Sequence, residues 1–272
     1  MTGATSGYGL HLATILYQHG GKVYLAARNA SRAQGVIDDI MTRYPESKGQ
    51  IAYLHLDLGD LSTIKKSAEE FLAKESKLHV LWNNAGVMIP PQGSTTAQGY
   101  ELQLGTNVVG PFLFTKLLYP ALARAAADSP PGSVRVVWLS SSAVRMAPNP
   151  AIDFSNMDYH KDEGAWTKYA RSKAANVLLA VEFSRRSEKD GVGSIVGLLS
   201  NIVPWSLADS MIDSRSRYCN DRLTENNALL ATSCRCKFNP LASNITANAP
   251  IETSCTATGS GRLYRAVCRP SA

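Results

Sequence analysis

The first 218 residues contain no cysteine, and all five (Cys219, Cys234, Cys236, Cys255 and Cys268) fall in the last quarter of the chain. Disulfide frameworks and thiolate metal sites are therefore excluded from most of it. No motif such as H-E-x-x-H is present, and no metal is expected. No apolar run is long enough to span a bilayer, and the opening residues lack a basic-then-apolar leader pattern. The expected location is cytoplasmic, with no transmembrane segment. The net charge of +6 comes from scattered residues, without a dense Lys/Arg block interleaved with aromatics. That argues against nucleic acid as a partner and is compatible with a small anionic ligand. There is no internal repeat. A strand is also lacking where one is expected. A glycine-rich segment that normally follows a strand is preceded here by Met1 alone. The expectation is that a central first strand is missing, so that either another segment fills its slot or the sequence is a truncated form of a longer protein.

What is present begins with Thr2-Gly3-Ala4-Thr5-Ser6-Gly7-Tyr8-Gly9, followed by apolar residues at helical spacing from Leu10 to Leu16. Glycines leading into a helix N-terminus suit a pyrophosphate, because backbone N–H groups can approach it and the helix dipole favours it. A plain glycine-rich turn is the alternative. Lys22-Val23-Tyr24-Leu25-Ala26-Ala27 reads as a buried strand ending in Arg28, with Ser31 and Arg32 just beyond. An arginine at that strand end accommodates a ribose 2′-phosphate, whereas an acid would bind the free hydroxyl. The reading is NADP(H); a solvated arginine closing a strand is the alternative. Downstream, Tyr169 and Lys173 are one helical turn apart, so a phenol and an ammonium share a face. A neighbouring positive charge is expected to lower the tyrosine pKa and make it a usable proton donor. An ordinary amphipathic contact has the same spacing.

In this combination the chain resembles the short-chain dehydrogenase/reductase family over roughly residues 1 to 200. The matching pieces come in the family's order: the T-G-x-x-x-G-x-G loop; Asp57-Leu58 after the strand Ile51-Ala52-Tyr53-Leu54-His55-Leu56; Asn83-Asn84-Ala85-Gly86; Asn107; Ser141; Tyr169 and Lys173. The wide gap between Ser141 and Tyr169 is similar to that of retinol-dehydrogenase-like and fungal reductase members. The resemblance implies that Gly3, Thr5, Ser6, Gly7, Tyr8, Gly9, Arg28, Asp57, Leu58, Asn84, Ala85 and Gly86 bind the cofactor, with Asp57 at the adenine. It implies that Tyr169 exchanges a proton with a carbonyl or alcohol and that Ser141 hydrogen-bonds the same oxygen. Lys173 would tune Tyr169 and hold the nicotinamide ribose, and Asn107 would hold a relay water. Read blandly, Ser141 is a polar strand end in Ser140-Ser141-Ser142, Asn107 a buried helix asparagine, and Asn84 a turn residue.

The length of 272 residues and 44% hydrophobic content fit one α/β domain with a substantial core. Strands are expected near 22–27, 50–56, 78–83, 133–140 and 194–200, and helices near 9–19, 30–44, 61–76, 96–126 and 162–189, with Asp60 capping the third. Such alternation implies a Rossmann-type doubly wound parallel sheet, with ligands at the carboxyl ends of the strands. The domain is expected to cover residues 1–213. The Cys/Ser/Thr/Asn-rich tail, 214–272, is open to three readings: a zinc or disulfide module, a divergent substrate lobe, or a segment not shaped by the ancestral fold. Asn244-Ile245-Thr246 matches a glycosylation acceptor, which a chain lacking a secretory signal would not use. The family's closing Pro-Gly turn is absent from Ser200-Asn201-Ile202-Val203-Pro204-Trp205. The expected activity is NADP(H)-dependent interconversion of a carbonyl and an alcohol on an apolar small molecule, by a homodimer or homotetramer. The rival is a non-catalytic dinucleotide-binding protein or inactive truncated paralogue.

Overall fold

The structure, a computed structural model, describes residues 1–199. The tail, its cysteines, the Asn244 acceptor and the closing segment from Ser200 lie outside the described residues. Strands and helices alternate. Helix α1 (Gly7–Gln18) leads to β1 (Lys22–Ala27), α2 (Ala30–Arg43), β2 (Gln50–His55), α3 (Leu61–Lys74) and β3 (Val80–Asn83). Then come α4 (Leu102–Leu104), a π-helical turn (Gly105–Val109), α5 (Gly110–Ala127), β4 (Arg135–Ser141), α6 (Ala165–Ser187) and β5 (Gly193–Leu199). Every strand pair is parallel: β1 with β2, β3 with β4, and β4 with β5. This is the Rossmann-type α/β arrangement.

Local sequence accounts for the elements. In α2, Ala33, Ile37 and Ile40 fall on one buried stripe, and in α3, Ile64, Ala68 and Phe71 do the same. Asn29 caps α2 by accepting from the Arg32 N–H at 2.9 Å, and Asp60 caps α3 by accepting from the Ser62 N–H at 3.0 Å. On β4, Trp138 is fully buried and donates its indole N–H to the Ser194 hydroxyl on β5 at 3.2 Å. The expected helix at 96–126 starts late, because Thr95 and Glu101 form an antiparallel bridge first, and the π turn then interrupts it around Asn107.

The gap before the glycine loop is partly closed. Thr2 forms a parallel bridge with Ala26, and its N–H donates to the Trp82 carbonyl at 2.9 Å. The Ala26 N–H donates to the Met1 carbonyl at 2.9 Å. Met1 to Gly3 thus stand between β1 and β3 at the carboxyl ends of the strands. Among the described elements no strand precedes α1, as expected, and at the carboxyl ends a single extended residue, Thr2, bonds to both sides of the gap.

Candidate active site

The carboxyl ends of β1 and β3 converge on the glycine loop that leads into α1. Gly3 and Gly7 have φ of 65° and 54°, a left-handed conformation that glycine adopts without strain. A Cβ on Gly3 would lie 2.7 Å from the Ala85 Cα, and one on Gly9 would lie 2.4 Å from the Gly3 carbonyl oxygen. The loop is therefore packed directly on the turn after β3. Asn84 holds it there, donating from Nδ2 to the carbonyls of Thr2 (3.1 Å) and Gly3 (3.0 Å). Thr2 completes the junction: its Oγ1 accepts from the N–H groups of Asn84 (3.0 Å) and Ala85 (2.9 Å) and donates to the Trp82 carbonyl (3.3 Å). Thr2 opens the glycine motif, but its part in this junction follows from contacts with residues some eighty positions away.

At the mouth of this loop, α1 begins at Gly7 with Ser6 as an N-cap whose side chain makes no capping hydrogen bond, and no acid occupies the first turn. The first N–H bonded back to the cap is that of Leu10. The N–H groups of Gly7, Tyr8 and Gly9 precede it and have no intrahelical acceptor. That donor set, on a loop held close against the turn after β3, fits the pyrophosphate of a dinucleotide. Thr5 is half-buried, and Ser6 and Tyr8 are exposed. Arg28 and Arg32 are exposed beyond the end of β1, where a ribose phosphate could reach them. Asp57 closes a turn by accepting from the Gly59 N–H at 2.8 Å. Leu58 puts its side chain into the core, so it can offer a cofactor only its backbone.

Gly86 carries the loop junction to the next group of residues. A Cβ there would lie 3.0 Å from the Asn107 Oδ1 and 3.5 Å from the Lys173 Nζ. Asn107 sits in the π turn, a local distortion that often marks functional sites. Its side chain is fully engaged: Oδ1 accepts from the Val87 N–H (2.7 Å), and Nδ2 donates to the Val87 carbonyl (2.9 Å) and the Ser172 Oγ (3.1 Å). It clamps the segment after β3 onto α6, and both Nδ2 hydrogens are used in doing so.

Ser141 ends β4, and its Oγ accepts from the Ala143 N–H at 3.2 Å. Opposite, α6 presents Tyr169 and Lys173, and all three side chains are buried. Helix and strand are pinned together: the Ser140 hydroxyl donates to the Lys173 carbonyl at 2.7 Å, and the Asn176 amide to the Leu139 carbonyl at 3.1 Å. The Lys173 ammonium donates to the Leu139 carbonyl at 3.1 Å and lies 5.6 Å from the centre of the Tyr169 ring. Burial pushes the Lys173 ammonium down to about 8. It also raises the Tyr169 phenol above its ordinary value, with the Ser141 hydroxyl acting in the opposite sense. The expected lowering of the Tyr169 pKa by Lys173 is thus reversed in the free protein. Desolvation disfavours the charged form of each group, and a carbonyl already holds the ammonium.

A parallel dinucleotide fold whose glycine loop, asparagine turn and buried Ser/Tyr/Lys group meet at one edge defines a class of pyridine-nucleotide oxidoreductase folds. Residues 1–196 match the family profile described as short chain dehydrogenase, and the chain belongs to that family. It is 64% identical over 195 residues to the short-chain dehydrogenase/reductase pkfC of Emericella nidulans, a match covering 72% of this chain and 62% of that protein. The chain spans about three fifths of the length of the curated relatives it matches. Among solved structures, a Mycobacterium paratuberculosis protein superposes with a TM-score of 0.63 at 27% identity, covering 84% of this chain and 76% of that one. A Pseudomonas aeruginosa RhlG/NADP complex gives 0.58 at 22% identity, covering 81% and 78%. Among the described residues no helix is long and apolar enough to cross a membrane, and no group of three His, Cys, Asp or Glu could hold a metal ion.

Proposed function

We propose that the protein is an NADP(H)-dependent oxidoreductase that interconverts a carbonyl and an alcohol on an apolar small molecule. The observation that carries this reading is the continuity of the site: Gly3 packs on Ala85, and the next residue, Gly86, approaches the Lys173 ammonium. A dinucleotide with its pyrophosphate on the α1 N-terminus would run along that path toward Tyr169. When bound, NADPH supplies the hydride that reduces the carbonyl carbon and leaves as NADP+.

The chain's own residues position the substrate and move the proton. Ser141 donates a hydrogen bond to the substrate oxygen. Tyr169 gives that oxygen the proton that completes the alcohol, and its phenolate is reprotonated from solvent. The two Lys173 N–H groups not given to Leu139 are available to ribose hydroxyls. Asn84 and Asn107 act by positioning the loop and the post-β3 segment. Arg28 favours the 2′-phosphate form. The catalytic domain is proposed to run through residues 1–213 in the cytoplasm, with a substrate range like that of retinol-dehydrogenase-like and fungal reductases.

The test is a fluorescence titration with NADPH and NADH, followed by turnover on an aldehyde and ketone panel, with Tyr169→Phe alongside. The expected outcome is tighter binding of NADPH, with turnover lost and binding kept in the variant. Retained turnover refutes the role of Tyr169. Binding without turnover by the native chain identifies the non-catalytic alternative.

A further inference from the structure

We propose that Trp166 is a specificity-determining residue that forms a wall of the substrate site and selects flat, π-rich carbonyl compounds over flexible aliphatic ones. The inference rests on the oxidoreductase reading above and narrows its substrate class. Trp166, Tyr169 and Lys173 are spaced i, i+3 and i+7 along α6, so they share a stripe. The indole meets the Tyr169 ring edge to face, with centroids 6.2 Å apart and planes at 83°. Its two stripe-mates are 5% and 6% exposed, yet Trp166 is 55% exposed. The indole is thus open to a ligand that reaches the phenol beside it.

The neighbouring chain supports this. Ser141 runs directly into the 3-10 turn Ser142–Met146, whose last residue is 55% exposed. Met88 follows Gly86 by two residues and is 43% exposed. Segments leaving both sides of the Ser141/Lys173 group therefore carry an open, polarizable thioether. Such side chains adapt to aromatic faces and edges. An indole with methionines on the flanking segments recognises a planar, conjugated or aromatic skeleton better than a mobile alkyl chain, because the planar ligand has less rotational freedom to lose and gains ring contacts.

The full chain loaded with NADPH is compared with Trp166→Ala and Trp166→Phe, using 2-naphthaldehyde and decanal. The expected result is a fall of about tenfold in the ratio of kcat/KM for the naphthyl over the alkyl aldehyde in the alanine variant, mostly through KM, with phenylalanine restoring most of it. An unchanged ratio overturns the proposal, as does an equal loss on both aldehydes. A parallel equilibrium titration with 2-naphthol, followed by quenching of tryptophan fluorescence, does not depend on turnover. If the native chain turns over neither aldehyde, the oxidoreductase reading fails. Quenching that disappears in Trp166→Phe still supports the aromatic wall, and no such quenching refutes it.

Discussion

At the scale of single residues, Lys173 shows how the site trades stability for readiness. Its pKa of about 8, set by burial, means that carrying the charge at neutral pH costs the fold on the order of 3 kcal/mol. A lysine whose folded pKa is depressed stabilises the native state as pH rises from about 8 to the unfolded value of 10.5. In that window the unfolded chain still holds the proton that the folded one has released. Lys173→Met should therefore raise the stability of the ligand-free protein by about 2 kcal/mol at pH 7, the hydrogen bond to Leu139 being the offset. The gain should shrink toward zero by pH 10.5 while turnover is lost. Urea melts of both proteins across that range check it, and a variant less stable than the native chain at pH 7 would refute it. The same ionisation predicts that kcat/KM for reduction falls above about pH 8, as the ammonium loses its proton. The positions of Tyr169 and Lys173 were legible because i, i+4 spacing is local. The sign of the Tyr169 shift was not, because desolvation depends on what β4 and the π turn bring around it.

At the scale of elements, α6 carries two working faces. Tyr169 and Lys173 face the site, while Lys168 and Arg171 hold the long connection from β4. Arg171 grips Glu163 through Nε and Nη2, both at 2.7 Å, and donates from Nη1 to the carbonyls of Pro150 (2.7 Å) and Ala151 (3.1 Å). Lys168 donates to Asp162 at 2.6 Å and sits 5.1 Å from the centre of the Tyr159 ring. The wide spacing between Ser141 and Tyr169 is thus occupied by a stapled segment. Arg171→Met would leave Glu163 partly buried without its partner and should cost about 3 kcal/mol. Arg171→Lys should recover little, since an ammonium cannot reproduce the planar fork. Thermal melts and limited proteolysis between residues 147 and 163 measure this, and an unchanged melt with no new cleavage there would contradict it. The alternation of strands and helices could be read in advance to within a few residues, because period-2 and period-3.6 patterns and caps are written locally. The roles of Thr2, Asn84 and Arg171 could not, since their hydrogen bonds join segments distant in the chain or depend on how a loop returns. Gln103 is another such case: it accepts from the Ile89 N–H and donates to the Ala165 carbonyl, both at 3.0 Å, and so ties the post-β3 segment to the start of α6.

At the scale of the whole molecule, the second half of α6 raises the question of assembly. Between Lys168 and Asn176 the helix is continuously buried, but Leu178 is 52% exposed and Val181, three residues on, is 59% exposed. They share one face of the helix. Phe112, near the start of α5, is 47% exposed. Three large apolar side chains on the two longest helices are more than scattered surface hydrophobics require, and a twofold contact would cover them with their own copies. A stable homodimer must bury roughly 1,600 Å² in total, which needs a helix-length surface such as these provide. Light scattering on the full chain should give at least twice the mass of 29.3 kDa at micromolar concentration. Leu178→Glu combined with Val181→Glu should shift it to the monomer, because burying two carboxylates against their own copies adds like-charge repulsion to desolvation. Leu178 and Val181 are exposed while Tyr169 and Lys173 are buried, so NADPH affinity should survive the change within a few-fold. A native chain that remains monomeric at 50-fold higher concentration, or a double variant that keeps the native mass, would rule out this face as the interface.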